Sequence, residues 1–133
     1  METSVANRDL LRAADMRPTQ QRLALMQLLF GAGNRHVCAE QLHAEAVRAG
    51  VAVSLATVYN TLNQLKTAGL LREIAMESER SYFDTNTSDH FHFFDEATGQ
   101  LMDIDAGQLR VVGLPNLPRG KVLDRIDVIV RLR

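Results

Sequence analysis

The chain has 133 residues, a hydrophobic fraction of 46% and a formal net charge of -1. Its length allows one ordinary domain or two small ones and excludes a large catalytic scaffold. Its charged beginning excludes a signal peptide, no apolar run approaches the roughly 20 residues of a membrane span, and the single cysteine, Cys38, excludes an internal disulfide. We therefore expect a folded cytoplasmic protein with no membrane contact.

The charges are distributed unevenly. Residues 1–72 carry eight Lys and Arg against five Asp and Glu, residues 73–105 carry one against nine, and residues 106–133 carry six against two. A mildly basic N-terminal part suits contacts with phosphate, and a carboxylate-rich middle suits a cation. Solvated surface would produce the same pattern, so charge alone decides neither partner.

Three helices are predicted in the N-terminal half. Thr19 is a good cap for a first helix that runs to about Phe30. A second helix fits residues 39–49, and the glycine that follows suits a left-handed end. Ser54 caps a third helix, which ends before Gly69.

The third helix is predicted to bury one face, because its apolar residues recur at three- and four-residue spacing. These residues are Leu55, Val58, Leu62 and Leu65. Residues 70–76 and 80–84 then flank a polar stretch at 77–79, a pattern typical of a β-hairpin. Helix, short turn, helix and hairpin in this order predict a winged-helix domain.

A small second domain is expected after a polar segment. We predict a DNA-binding domain over residues 1–84, a hinge over 85–88, where Ser, Thr and Asn compete with regular backbone pairing, and a C-terminal domain over 89–133. Strand character is found in residues 91–94, 101–105 and 126–132. Three strands in about 45 residues make a poor independent core, so we expect a homodimer formed through the C-terminal strands.

The polar face of the third helix is a candidate DNA reader. Thr57, Tyr59 and Asn60 supply hydroxyl and amide groups that can contact base edges in a major groove. Arg17, just before the Thr19 cap, can enter a narrow minor groove or contact phosphate. Exposure to water also explains a polar helix face or a surface arginine, but the position between a tight turn and a hairpin favours recognition of double-stranded operator DNA.

Histidine and aspartate residues form a candidate metal site. His90 and His92 are two apart on a predicted strand, so their imidazoles leave the same face, and Asp103 lies on the next predicted strand. Asp84 lies just before the predicted hinge, and His36 lies in a predicted loop. Mixed imidazole and carboxylate ligands suit iron, manganese or zinc. Ordinary polar positions are the alternative interpretation of a bare His-x-His pair.

Five segments of the chain carry a family resemblance. They are RPTQQR at 17–22, HVCAEQLH at 36–43, VSLATVYNTL at 53–62, GLLRE at 69–73 and SYFDTNTSDHFHFF at 81–94. Over nearly the full length the chain resembles the ferric uptake regulator (Fur) family, and SLATVYNTL, FDTNTSDH and IDVIVRLR are most similar to its iron response regulator (Irr) branch. The resemblance implies an α+β fold, in which a winged-helix domain is followed by a small α+β dimerisation domain.

The resemblance also assigns roles to individual residues. Arg17 matches the minor-groove basic residue of the family. Tyr59 and Asn60 match base-contacting residues, and Ser54 and Thr57 match neighbouring contacts. The ligands of the interdomain regulatory site are matched by His36, Asp84, His90, His92 and Asp103. The implied cofactor is a divalent metal, iron or manganese physiologically, with zinc possible in vitro.

Some family features are missing. The chain has no Cys-x-x-Cys pair, which excludes the structural zinc that many relatives carry. Phe91 interrupts the three-histidine run of haem-sensing members, and Cys38 is followed by Ala39 instead of proline, so haem sensing is not expected. Phe91 also occupies a ligand position of a second family metal site, and no histidine follows His92.

These observations predict a metal-responsive transcriptional regulator of iron- or haem-related genes, and not an enzyme. The alternative within the fold is a peroxide-responsive repressor, because Asp84 and Asp103 resemble the aspartate ligands of the peroxide-responsive branch. Such a repressor senses peroxide through oxidation of an iron-bound histidine. A non-haem iron enzyme with His90, His92 and Asp103 as a facial triad is a third reading, but no residues remain to build its substrate pocket.

Overall fold

Helices dominate the first part of the chain, and strands form the regular structure of the last part. A computed structural model describes residues 2–76 and 80–133, and the chain divides into two units, residues 1–87 and 88–133. The predicted α+β class is confirmed. Among the described residues, no helix is both long and apolar enough to cross a membrane.

Four helices form the framework of the first unit: α1 (Glu2–Ala13), α2 (Gln20–Phe30), α3 (Ala39–Arg48) and α4 (Leu55–Thr67). The side chain of Thr19 accepts a hydrogen bond from the Arg22 N–H at 3.2 Å, so the predicted cap of α2 is present. Gly50 has φ 78°, the left-handed conformation that glycine adopts at least cost after a helix. The sequence patterns do not predict α1, because its segment is largely polar. Among the α1 residues whose side chains the structure describes, only Asn7 and Leu11 are buried.

A three-stranded antiparallel sheet completes the first unit. Its strands are β1 (His36–Cys38), β2 (Arg72–Ile74) and β3 (Tyr82–Asp84), in the order β1-β3-β2. β2 and β3 are the arms of the predicted hairpin, whose turn at 77–79 lies outside the described residues. The expected loop at His36 is wrong, since this residue begins β1. Three residues carry too short a pattern to indicate a strand, and pairing with β3 decides the conformation.

The core of the first unit lies among the helices. Val58, Leu62 and Leu65 of α4 are fully buried as predicted, but Leu55 is 37% exposed. Thr61 is buried instead, and its hydroxyl donates to the Thr57 carbonyl at 2.8 Å, which satisfies the polar group inside the core. The opposite, polar face of α4 stays accessible.

The second unit is a three-stranded sheet in the order β5-β4-β6. Its strands are β4 (His92–Asp95), β5 (Gln100–Asp103) and β6 (Ile129–Leu132). The central strand β4 pairs antiparallel with β5 and parallel with β6, which is shorter than the predicted strand at 126–132. Residues 104–128, all of them described, hold neither helix nor strand. Pro115 and Pro118 lie in this segment and oppose regular backbone hydrogen bonding there.

Candidate DNA-binding face and metal ligands

The predicted base-reading residues cluster at the start of α4. Ser54 caps the helix by accepting from the Thr57 N–H at 3.1 Å, and the two hydroxyl oxygens lie 2.9 Å apart. Asn60 is exposed, whereas Thr57 and Tyr59 are half-buried. Ser54 is thus the cap of α4, and Thr57, Tyr59 and Asn60 lie in its first two turns.

A polar groove of about 910 Å³ runs along this face. Its polar lining includes Asp15, Arg22, Thr57, Asn60, Asn63 and Gln64. The Arg22 guanidinium also donates to the carbonyl of Arg17 at 2.8 Å, which fixes the backbone that carries the exposed Arg17 side chain. No motif in the sequence marks Arg22, and only the fold shows that it joins the groove to the Arg17 segment.

Tyr59 is bound to a residue outside α4. Its hydroxyl donates to Oε1 of Glu40, in the first turn of α3, at 2.6 Å. This hydrogen bond from Tyr59 is the main reason that the pKa of Glu40 lies below its ordinary value. The same bond raises the pKa of Tyr59. Glu40 carries no functional signal in the sequence, because an acidic residue in the first turn of a helix is common for helix stability alone.

In the first unit, His36 and Asp84 face each other across β1 and β3. They are directly opposite in the antiparallel register, and His36 Nε2 lies 3.3 Å from Asp84 Oδ2. The Asp84 side chain is fully buried, and its other oxygen, Oδ1, accepts from the Asn86 N–H at 2.8 Å. The carboxylate is therefore held by its own backbone turn, with Oδ2 toward the imidazole.

Arg35 fixes the chain next to His36. Its guanidinium donates two hydrogen bonds to the Glu45 carboxylate, at 2.8 and 2.7 Å, and a third to the Leu28 carbonyl at 3.1 Å. Its backbone N–H donates to the Thr85 hydroxyl at 2.8 Å, and its carbonyl accepts from the Thr85 N–H at 3.0 Å. Contacts with α2, α3 and the segment after β3 thus hold both ends of the His36–Asp84 pair in place.

In the second unit, three predicted ligands come together. His92 and Asp103 are directly opposite on β4 and β5, and the Nε2 atoms of His90 and His92 lie 3.2 and 3.3 Å from Asp103 Oδ1. The two imidazole side chains are 9% and 5% exposed, whereas Asp103 is 45% exposed. His90 precedes β4 and does not lie on a strand as expected. The two imidazole rings nevertheless lie next to each other, with ring centroids 4.5 Å apart.

The orientation of His90 fits a metal ligand. Its Nδ1 lies 2.7 Å from the Ser88 carbonyl oxygen, and a carbonyl can only accept, so Nδ1 carries the proton. In the neutral ring Nε2 then presents a lone pair on the side of Asp103. A backbone carbonyl bound to the far ring nitrogen is the usual way in which proteins orient a ligating histidine. Each unit therefore brings imidazole and carboxylate groups together, which are donor types that suit a divalent cation.

Comparison with known proteins gives consistent matches. The model of the Ferric uptake regulator family matches residues 13–114. Over 109 residues the chain is 33% identical to the peroxide-responsive repressor PerR of Staphylococcus epidermidis, covering 82% of this chain and 70% of the relative. The ferric uptake regulator of Pseudomonas aeruginosa, solved with manganese, matches with a TM-score of 0.71 and 26% identity over 96% of each chain. The ferric uptake regulator of Vibrio cholerae matches with a TM-score of 0.74 at 22% identity, over 94% of this chain and 97% of that one.

These relatives are regulators and repressors of transcription, so the prediction that the chain is a regulator and not an enzyme is confirmed. The facial-triad enzyme is accordingly set aside. The family model spans most of both units, including the winged helix and β4 and β5. The chain belongs to the ferric uptake regulator family.

Proposed function

We propose that the chain acts in the cytoplasm as a homodimeric, metal-responsive transcriptional regulator that binds double-stranded operator DNA through α4. The observation that carries the proposal is the pair of His–Asp couples, His36 with Asp84 and His92 with Asp103, one in each unit. The exposed amide face of α4 supports the DNA-binding part. Arg17, Ser54, Thr57, Tyr59 and Asn60 are the proposed DNA contacts.

The proposed metal ligands are those of the family's regulatory site: His36, Asp84, His90, His92 and Asp103. Iron or manganese is the proposed cation, and the manganese in the Pseudomonas aeruginosa relative supports manganese. A bound cation would supply the positive charge that draws imidazole and carboxylate ligands together. The chain's own part is to present Nε2 of His90 and Oδ2 of Asp84 in fixed orientations.

We also propose that the ligand sets of the two units hold one ion jointly, as the family resemblance implies. Domains over residues 1–84 and 89–133 would then be joined by the hinge at 85–88. Thr85 is hydrogen-bonded to Arg35 of the first unit, so bending should be confined to the residues after it. An ion favours the interdomain angle that its ligands bind best, and that angle sets the spacing of the two α4 helices in the dimer.

The signal is proposed to be iron status, because SLATVYNTL, FDTNTSDH and IDVIVRLR resemble the iron response regulator branch. The regulated genes would then concern iron or haem. A peroxide-responsive repressor is the second candidate. It is favoured by the aspartates at 84 and 103 and by the 33% identity to PerR of Staphylococcus epidermidis.

The proposal is tested by the effect of metal on DNA affinity. DNA duplexes are selected from a random-sequence library twice, once with metal-free protein and once with manganese-loaded protein. Of the two resulting duplexes, the one that the protein binds more tightly is called the selected duplex. Its affinity is then measured for the metal-free, manganese, ferrous and haem-treated protein, beside a random duplex of equal length. We expect a metal-dependent change on the selected duplex and no haem effect. Equal affinity in all four states would contradict the proposal.

Mass spectrometry after hydrogen peroxide treatment separates the two signals. In the peroxide-responsive case an imidazole of the ferrous protein, His36 or His90, gains one oxygen atom from hydrogen peroxide, and water leaves. The manganese-loaded protein is the matched control and should stay unmodified. No mass gain in the ferrous protein would leave the iron-responsive function as the better account.

A further inference from the structure

We propose that Glu40 is a positioning residue for DNA recognition, because its carboxylate holds the Tyr59 hydroxyl and thereby fixes the ring orientation of Tyr59 at the reading end of α4. The inference rests on the proposed DNA-binding role of α4. It concerns a residue of α3 that carries no proposed DNA contact itself. Its position in the first turn of α3 makes it a link between the two helices of the helix-turn-helix.

The contact is short and charged. Tyr59 Oη lies 2.6 Å from Glu40 Oε1, within the range of hydrogen bonds to an ionised acceptor. The pKa of Glu40 is lowered and the pKa of Tyr59 is raised by this bond, so near neutral pH the carboxylate is ionised and the phenol keeps its proton. A phenol has only one proton to donate. The Tyr59 hydroxyl therefore has no second proton to donate to a base, and its bond to Glu40 acts as an anchor for the ring.

The Glu40 carboxylate is also held from its own side of the contact. After the bond from Tyr59, a hydrogen bond with its own backbone and one with the Cys38 side chain lower the pKa of Glu40 further. The Tyr59 hydroxyl is therefore bound to an acceptor that the start of α3 keeps in place.

The location of the pair connects it to base reading. Tyr59 lies between Val58, which is fully buried, and Asn60, which is exposed. The Tyr59 ring is half-buried at the edge between the core and the polar face. Two side-chain torsions set its direction, and one hydrogen bond at its far end restricts both. Loss of that bond should let the ring move without unfolding α4.

The test is a double-mutant cycle between Glu40→Ala and Tyr59→Phe, with Glu40→Gln as the matched control. The readout is the ratio of affinities for the selected duplex and the random duplex, together with the melting temperature. We expect each single change to lower the ratio about tenfold and the double variant to be no worse than either, as for two residues that act through one contact. Glu40→Gln keeps an acceptor oxygen and should stay within about twofold of wild type.

Each other outcome overturns the inference. Additive losses would mean that the Tyr59 hydroxyl contacts DNA directly. An unchanged ratio for Glu40→Ala, or equal losses on both duplexes with a lower melting temperature, would leave Glu40 a purely structural residue. Losses for Glu40→Gln equal to those for Glu40→Ala would mean that the charge of Glu40, and not an acceptor bond to Tyr59, affects DNA recognition. If Glu40→Ala does not fold, Glu40→Met takes its place in the cycle.

Tyr59→Ala distinguishes failure of the inference from failure of the proposed function. If that variant leaves the ratio unchanged, the proposed role of Tyr59 in reading bases is wrong, whatever Glu40 does. If it lowers the ratio and Glu40→Ala does not, only the positioning role is wrong.

Discussion

Each candidate set of metal ligands contains a histidine directly across an antiparallel strand pair from an aspartate. His36 faces Asp84, and His92 faces Asp103. Directly opposite residues share one face of a sheet and have their Cβ atoms about 4.5–5.5 Å apart, so strand register alone brings imidazole and carboxylate together. A slip of one residue would turn the side chains to opposite faces. The ligand geometry therefore depends on register more than on side-chain flexibility.

Asn60 is the residue on which base reading can be tested most directly. Asn60→Ala should lower affinity for the selected duplex by about 1–3 kcal/mol, the usual size of one lost base contact, and should barely change binding to the random duplex. Fluorescence anisotropy with both duplexes measures the two effects. Asn34→Ala, at another exposed asparagine of the first unit, is the matched control. Equal losses on both duplexes for Asn60→Ala would argue against base readout.

At the scale of secondary-structure elements, Arg35 and Glu45 tie β1 to α3. Their two parallel hydrogen bonds are the main reason that the pKa of Glu45 is lowered and that of Arg35 is raised. Because the folded state binds the ionised carboxylate better, Glu45 stabilises the fold above its ordinary pKa of 4.5. That contribution is lost as the pH falls through the lowered pKa of the folded state.

Glu45→Gln tests this anchor. It should lower the free energy of unfolding at pH 7 by about 1 kcal/mol, since both side chains are partly exposed. The difference from wild type should shrink as the pH falls below 4.5, where the carboxyl of the unfolded state takes up a proton, and should vanish below the lowered pKa of the folded state. Denaturant unfolding across this pH range measures the effect, with Asp9→Asn, at an exposed acid of α1, as the control. A difference that is independent of pH would contradict the ionic origin of the anchor.

β6 is an edge strand in the second unit, since β4 lies between it and β5. An edge strand presents unpaired backbone groups that a second copy can bind. Leu132, 38% exposed, lies on the same face of β6 as Val130. The proposed homodimer is expected to cover this face.

Leu132→Glu should therefore shift the protein toward monomer at micromolar concentration, because an ionised carboxylate is costly to bury. Light scattering measures the mass. Truncation before Ile126 should abolish the dimer as well, but it also removes the parallel partner of β4, so the point substitution is the cleaner test. Val122→Glu, at a residue that is 90% exposed outside the strands, is the comparison. If Val122→Glu produced a monomer and Leu132→Glu did not, the dimer interface would lie in residues 104–128 and not on β6.

At the scale of the whole molecule, the proposed joint site makes metal binding and DNA binding reciprocal. A cation held by ligands of both domains changes DNA affinity only to the extent that it binds the DNA-competent arrangement better than the alternative. A metal site made of His90, His92 and Asp103 alone would have no ligand in the DNA-binding domain. Such a site could bind metal, but the bound metal would not change DNA affinity. Loss of a ligand from the first domain should separate the two properties.

His36→Ala should keep weak metal binding and lose the effect of metal on affinity for the selected duplex. His90→Ala should lose most metal binding itself. Calorimetric titration with manganese, beside DNA affinity with and without manganese, measures both properties. His43→Gln is the control, because His43 contacts the Val53 carbonyl at 3.0 Å and is not a proposed ligand. If His36→Ala retains the full metal effect on DNA binding, the joint site is wrong.

Features that depend on neighbouring residues can be predicted from the sequence. The caps at Thr19 and Ser54, the glycine at the end of α3 and the buried spacing of Val58, Leu62 and Leu65 are local signals, because a helix is built from contacts three and four residues apart. Their order along the chain predicted the winged helix. The candidate ligands were identifiable because their residue types and motifs are specific.

Features that depend on distant partners follow from the packing of the folded chain. β1 is a strand because β3 pairs with it, and Thr61 replaces Leu55 in the core because of how α4 packs. The hydrogen bond between Glu40 and Tyr59 joins residues 19 positions apart, and the Thr85 contacts of Arg35 join residues 50 apart. No local spacing encodes such contacts. They arise when the helices and strands pack, and they hold Tyr59, a proposed DNA contact, and the candidate ligands of the first unit in place.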